Sequence, residues 1–201
     1  MIFTAKDITV AAAKVAEAAE AAADELNTQD GKLGDGDLGI TVSKGWREVA
    51  DADLPDDLGK AFLDCSKAFQ RASSSSFGTL IATAFMAAAK ATKGRDAADF
   101  SEISTLLGTA RDAMMARGKG ELGQKSILDM VDALASVTEG LSDPAAILAA
   151  VDKAATETLD AFRDTPNGLG RARMFGDKSI GLDDPGMLAA RRMIDGLMKG
   201  N

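Results

Sequence analysis

The chain has 201 residues, 46% of them apolar and 27% charged, a balance that predicts one packed domain over residues 1–201. Its formal charge of −8 disfavours nucleic acid and anionic membrane as partners. The absence of His removes ordinary zinc sites and His-based nucleophilic catalysis, and the lone Cys65 excludes an internal disulfide framework.

Neither a signal-peptide pattern nor a membrane-length apolar run occurs, so a cytoplasmic protein is expected. Strand signals are nearly absent, and Ala, Leu, Met, Glu and Lys at helical spacing predict about eight helices. The first spans about Asp7 to Leu26, with Asp7 as its cap. After a glycine-rich stretch the next runs from about Ile40 to Ala52. A third, Asp56 to Ala72, puts Phe62, Cys65 and Phe69 on one face. A serine run precedes the fourth, Thr79 to Lys93, which is apolar nearly all round. The fifth and sixth cover about Ser101 to Arg117 and Ser126 to Thr138. The seventh and eighth open with Asp143-Pro144 and Asp184-Pro185, each a cap followed by Pro at the first helical position. Short connections predict antiparallel packing, with three longer polar segments at 27–39, 117–125 and 164–186. The expected fold class is all-α.

The strongest chemical signal is Asp30-Gly-Lys-Leu-Gly34-Asp35-Gly36-Asp37-Leu-Gly39. Glycines let three carboxylates converge, and converging like charges are costly without a cation among them. An EF-hand register from Asp35 fails, because it puts Ile40 at the required Gly and Trp46 at the bidentate Glu. The Gly34-x-Gly36-x-x-Gly39 match to a dinucleotide fingerprint lacks a preceding strand and carries acids at its variable positions. Three acids and no His point instead to Mg²⁺ carrying phosphate.

Ser73 to Ser76 before a helix reads equally as an anion site or as a serine-rich cap. Arg171, Arg173 and Lys178 give the 164–186 segment positive charge suited to phosphate, against the plainer reading of a solvated loop.

These motifs, together with Gly123-Gln-Lys-Ser126-Ile-Leu-Asp129 and Ser179-Ile-Gly181 through Asp184-Pro185-Gly186, resemble the nucleotide-binding L subunits of dihydroxyacetone kinases from about residue 5 to 198. The resemblance implies an eight-helix antiparallel barrel with the nucleotide bound by loops at one end. It puts Asp30, Asp35 and Asp37 on the ligands of two Mg²⁺, and makes them, with Arg171, the candidate catalytic set. Leu38, Gly39, Ile40, Thr41, Ser76 and Phe77 match nucleotide-lining positions, and Gly118 and Ile127 positions near the base. Arg171, Asp184, Pro185 and Gly186 match the segment that closes over ATP or ADP. Leu38 and Leu182 stand where the family commonly has His, and Ser74-Ser75-Ser76-Phe77-Gly78 replaces its usual Gly-Gly-x-Ser-Gly turn.

The implied activity is phosphorylation of a small ketose together with a separate substrate-binding K-type subunit, the phosphoryl group coming from ATP or from a phosphotransferase-system protein. Two other functions stay open: a nucleotide-loaded regulator of a transcription factor, and an acyl-phosphate-forming kinase subunit with a lipid-carrier partner. A homodimer is also open.

Overall fold

The computed structural model describes residues 1–199. Its first helix starts earlier than the sequence predicts. Thr4 is the cap, Asp7 occupies the third helical position, and Asp7 accepts hydrogen bonds from the Thr4 backbone N–H and hydroxyl. The predicted single helix is two, α1 (Ala5–Ala21) and α2 (Ala23–Leu33), divided at Ala22. The polar segment predicted at 27–39 is therefore helical up to Leu33, with Asn27 and Thr28 inside α2 despite their weak propensity.

Seven further helices follow: α3 (Leu38–Ala50), α4 (Leu58–Ala72), α5 (Ser76–Ala91), α6 (Ile103–Gly118), α7 (Ile127–Val137), α8 (Pro144–Arg163) and α9 (Pro185–Met198). Asp57, Ser75, Ser126, Asp143 and Asp184 cap α4, α5, α7, α8 and α9 through their side chains. Helix α5 starts a turn earlier than expected, since the serine run contributes both its cap and its first residue. Two three-residue strands escaped the sequence reading, β1 (Ile2–Thr4) and β2 (Ala97–Asp99), which pair antiparallel with Ile2 opposite Asp99. Strands that short carry no periodic signal.

The helices close into a ring. Helix α1 packs on α3, each helix from α3 to α9 packs on the next, and α9 returns to α1; α2 leans on α3 and α9. Counting α1 and α2 as one broken member, this is the eight-membered antiparallel arrangement expected. Its interior is filled by Leu26, Val42, Met114, Leu128, Met130 and Met187, all essentially fully buried. A second cluster around Val49, Cys65 and Phe69 joins α3 to α4, with Trp46 edge-on to Phe69 and Phe85. Burial pushes the Cys65 thiol up to about 12, so it behaves as an apolar core residue.

Ring closure depends on Gly196. A Cβ there would sit 2.7 Å from the Lys14 carbonyl oxygen and 2.8 Å from the Ala18 methyl. Gly196→Ala is expected to cost about 1–3 kcal/mol by overpacking the α9–α1 contact, read as a lowered urea midpoint at unchanged slope.

Candidate functional site

Alternate members of an antiparallel ring run the same way, so α3, α5, α7 and α9 all begin at one rim. Their first turns wall a single cleft of about 460 Å³, contributing Leu38, Ile40 and Thr41, Ser76 and Phe77, Ile127, and Pro185 and Gly186 respectively. Each N-terminus contributes about half a positive charge to the opening. The Leu169–Ala172 segment that precedes α9 completes the wall.

Acidic side chains meet this electropositive rim. Asp30 in the last turn of α2, with Asp35 and Asp37 in the link to α3, brings carboxylate oxygens all within 4.8 Å of one another. The link is wound around Asp30, whose Oδ2 accepts from the N–H of Gly36 (2.9 Å) and Asp37 (3.1 Å). Gly36 holds a φ of 79°, and a Cβ on Gly34 would lie 2.4 Å from Asp30 Oδ1. Asp37 precedes α3 yet does not cap it. Asn27 does so from α2, its Oδ1 accepting from Gly39 N (2.8 Å) and Ile40 N (3.3 Å). The Asp37 carboxylate thus stays free for the cluster. Desolvation, then the charges of Asp35 and Asp30, raise its pKa.

Arg171 reaches across the cleft to Asp35 and makes an ion pair with it. At the serine link, Ser75 Oγ accepts from Gly78 N (3.0 Å), and Ser73 Oγ lies within hydrogen-bond distance of Ser75 Oγ (3.0 Å) and Thr41 Oγ1 (3.3 Å). Ser75 is thus a cap, and Ser73 to Ser76 all line the cleft. Asp184 caps α9 from a buried position, and desolvation raises its carboxyl to about 6.

The cleft brings together Asp30, Asp35, Asp37, Leu38, Ile40, Thr41, Ser76, Phe77, Ile127, Arg171, Asp184, Pro185 and Gly186. Two other residues singled out from the sequence lie off its wall. Gly39 is buried against Ala23 and Asn27, and Gly118 is exposed at the end of α6 beside Leu80. Sequence reasoning missed Asn27, whose capping role spans twelve residues, and the wall residues Leu33, Lys44, Leu80 and Leu169. Leu33, Leu80 and Leu169 read as ordinary apolar residues; only the fold turns them toward the site.

Among the described residues, Asp30, Asp35 and Asp37 are the group of three acids close enough to hold a metal ion together. Hard carboxylate oxygens beside waiting N–H donors suit Mg²⁺ with an anionic ligand. Residues 32–199 match the DAK2 domain.

The chain belongs to the DAK2 domain family.

This DAK2 domain is 29% identical over 182 residues to the ADP-binding subunit DhaL of the PEP-dependent dihydroxyacetone kinase of Escherichia coli (strain K12), covering 84% of each chain. It is 30% identical to L-erythrulose 1-kinase of Mycolicibacterium smegmatis, covering 86% of this chain and 32% of that one. The crystal structure of dihydroxyacetone kinase from C. freundii in complex with AMP-PNP and Mg²⁺ superposes with a TM-score of 0.76 at 22% identity, over 96% of this chain and 34% of the kinase. The DAK2 domain therefore spans about a third of the length of the last two proteins, and the structural match establishes its fold. Among the described residues no helix is long and apolar enough to cross a membrane.

Because Arg171 pairs with Asp35, it competes with any cation for the cluster. Arg171→Ala is expected to tighten binding of Mn²⁺ alone by about fivefold, the roughly 1 kcal/mol of a partly exposed ion pair. Calorimetry with Mn²⁺ in the absence of nucleotide checks this, and unchanged affinity would remove the competition.

Proposed function

We propose that this chain is the nucleotide- and Mg-binding phosphotransfer subunit of a two-component kinase for a small ketose of the dihydroxyacetone type, acting as one domain with a separate substrate-binding K-type subunit. The observation that carries this reading is the convergence of three carboxylates and one arginine in a cleft rimmed by four helix N-termini. The similarity to ADP-binding subunits of dihydroxyacetone kinases supports it.

Asp30, Asp35 and Asp37 would hold two Mg²⁺, whose charge offsets that of the nucleotide phosphates and whose coordination orients them. Backbone N–H groups at the starts of α3 and α5, with the Ser76 hydroxyl, would bind phosphate oxygens. Phe77, Leu80, Ile127 and Leu169 offer the apolar surface on which a base would rest. Arg171 would leave Asp35 for the phosphates when the metals bind, its planar fork suiting either partner. The segment from Asp184 to Gly186 borders the same opening. The phosphoryl group would come either from exchangeable ATP or through a bound ADP recharged by a phosphotransferase-system protein.

The acceptor must come from outside. The chain has no His to hold a ketose as a hemiaminal, and Lys44 on the cleft wall is exposed, not desolvated as a Schiff-base lysine would be. Magnesium with ADP at a hundredfold excess over Kd is expected to stabilise the protein by about 2.7 kcal/mol, a Tm rise of roughly 5 to 11 °C. Asp37→Asn should lose most of that rise while keeping native circular dichroism, and an undiminished rise would remove Asp37 from the metal site. In a coupled assay the isolated chain is expected to leave dihydroxyacetone and erythrulose unphosphorylated. Turnover should appear on adding a K-type subunit and vanish with Asp30→Ala. Robust turnover by the chain alone would refute the division of labour, and silence with every K-type subunit despite nucleotide binding would favour a regulator.

A further inference from the structure

The most deeply buried cation in the molecule lies outside the cleft wall. Lys125, in the link between α6 and α7, is 1% exposed. Its ammonium donates to three backbone carbonyls, those of Arg163 (3.0 Å), Thr165 (2.8 Å) and Ser179 (3.0 Å). An ammonium has three N–H donors, and all three are used. No carboxylate lies within ion-pair distance of it among the described residues, and burial holds its pKa below the ordinary lysine value. Packing alone would be served as well by an apolar side chain of similar volume, without the desolvation of a charge. The arrangement therefore needs a reason beyond filling space.

The reason lies in where the three carbonyls sit along the chain. Arg163 ends α8, Thr165 lies two residues beyond it, and Ser179 closes the short 3₁₀ stretch from Ala172 to Ser179. Lys125 thus ties together both feet of the loop whose apex, Leu169 to Ala172, walls the cleft and carries Arg171. Neighbouring bonds strengthen the same junction. Gly168 N donates to Gln124 O (2.8 Å), and Asn167 N donates to Ser179 Oγ (2.9 Å). Asn167 Nδ2 joins Lys125 O (2.8 Å) to Asp184 Oδ1 (2.7 Å) at the cap of α9. Lys125 itself sits at a φ of 55°, a left-handed conformation rare for a residue with a side chain.

We propose that Lys125 is a positioning residue of the cleft: it clamps the two feet of the 165–179 loop and so seats Arg171 against the acidic cluster. The proposal rests on the reading of the cleft as a metal–nucleotide site, and it has a signature that mere destabilisation lacks. Loosening the loop releases Arg171 from Asp35, which favours metal binding, and also withdraws Arg171 from phosphate, which disfavours nucleotide. General damage to the fold weakens both.

The test is calorimetry on wild type, Lys125→Met, Arg171→Ala and the double variant, with Mn²⁺ alone and with ADP plus Mg²⁺. Lys125→Met is expected to bind Mn²⁺ about threefold more tightly and ADP with Mg²⁺ about tenfold more weakly, with less than about a twofold further loss of ADP affinity once Arg171 is already Ala. Lys125→Gln, which keeps two donors, should fall between. Unchanged affinities, weakening of both ligands, or a full tenfold loss in the Arg171→Ala background would each overturn the proposal. So would failure of both Lys125 variants to fold, which would make Lys125 a folding determinant instead. A wild type that binds Mn²⁺ but no ADP would refute the nucleotide reading and leave the Mn²⁺ comparison to decide the role of Lys125.

Discussion

A closed antiparallel ring with an even number of members gathers half of its helix N-termini at one rim. That constraint organises this molecule. Four N-termini crowd one opening, and their partial positive charge is what allows three carboxylates to stand within 4.8 Å of one another there. Two backbone N–H groups folded around Asp30 and the guanidinium of Arg171 on Asp35 supply the remaining compensation. Cap choice completes the arrangement. An Asp before a helix ordinarily turns inward to its own N–H groups, but Asn27 takes that duty for α3. Asp37 is thereby left facing the cleft, at the cost of a raised pKa.

The two cations around the site illustrate why arginine and lysine are not exchangeable. Arg171 has a half-exposed side chain and one carboxylate partner, and its planar fork fits carboxylate and phosphate equally well, so it can change partners. Lys125 is a point charge with three donors, suited to three carbonyls converging from separate chain segments, and its burial makes exchange with solvent costly. One cation is placed to move and the other to stay. Arg171 lies six residues from Thr165 and eight from Ser179, two of the positions whose carbonyls Lys125 holds.

Much of this was legible in the sequence because it rests on local rules. Asp143-Pro144 and Asp184-Pro185 mark helix starts by cap and fixed φ, and both helices begin there. The glycine-spaced acids announce convergence, since four glycines in ten residues serve no ordinary turn. What escaped depends on distance along the chain. The bond from Asn27 to Gly39, the leucines of the cleft wall, and the carbonyls gathered by Lys125 from 38 to 54 residues away have no periodic trace. The break at Ala22 was equally hidden, because alanine-rich sequence on both sides favours helix throughout.

The departures from the family pattern acquire a physical meaning once the cleft is drawn. Leu38, at a position where the family commonly has His, is buried and packs into the central core with Leu26 and Val42 while one edge borders the cleft. An imidazole there would bring a donor to the rim; a leucine brings only apolar surface. The positive character of the opening then rests on backbone N–H groups, Arg171 and the exposed Lys44. Asp184, raised to about 6 by burial, has both of its oxygens engaged within the protein, one by Met187 N and one by Asn167. On the reading proposed above, a cleft so composed would hold a highly charged anion in place. With no imidazole among its residues, the acid–base work of any transfer would then fall to the molecule that meets it at the rim.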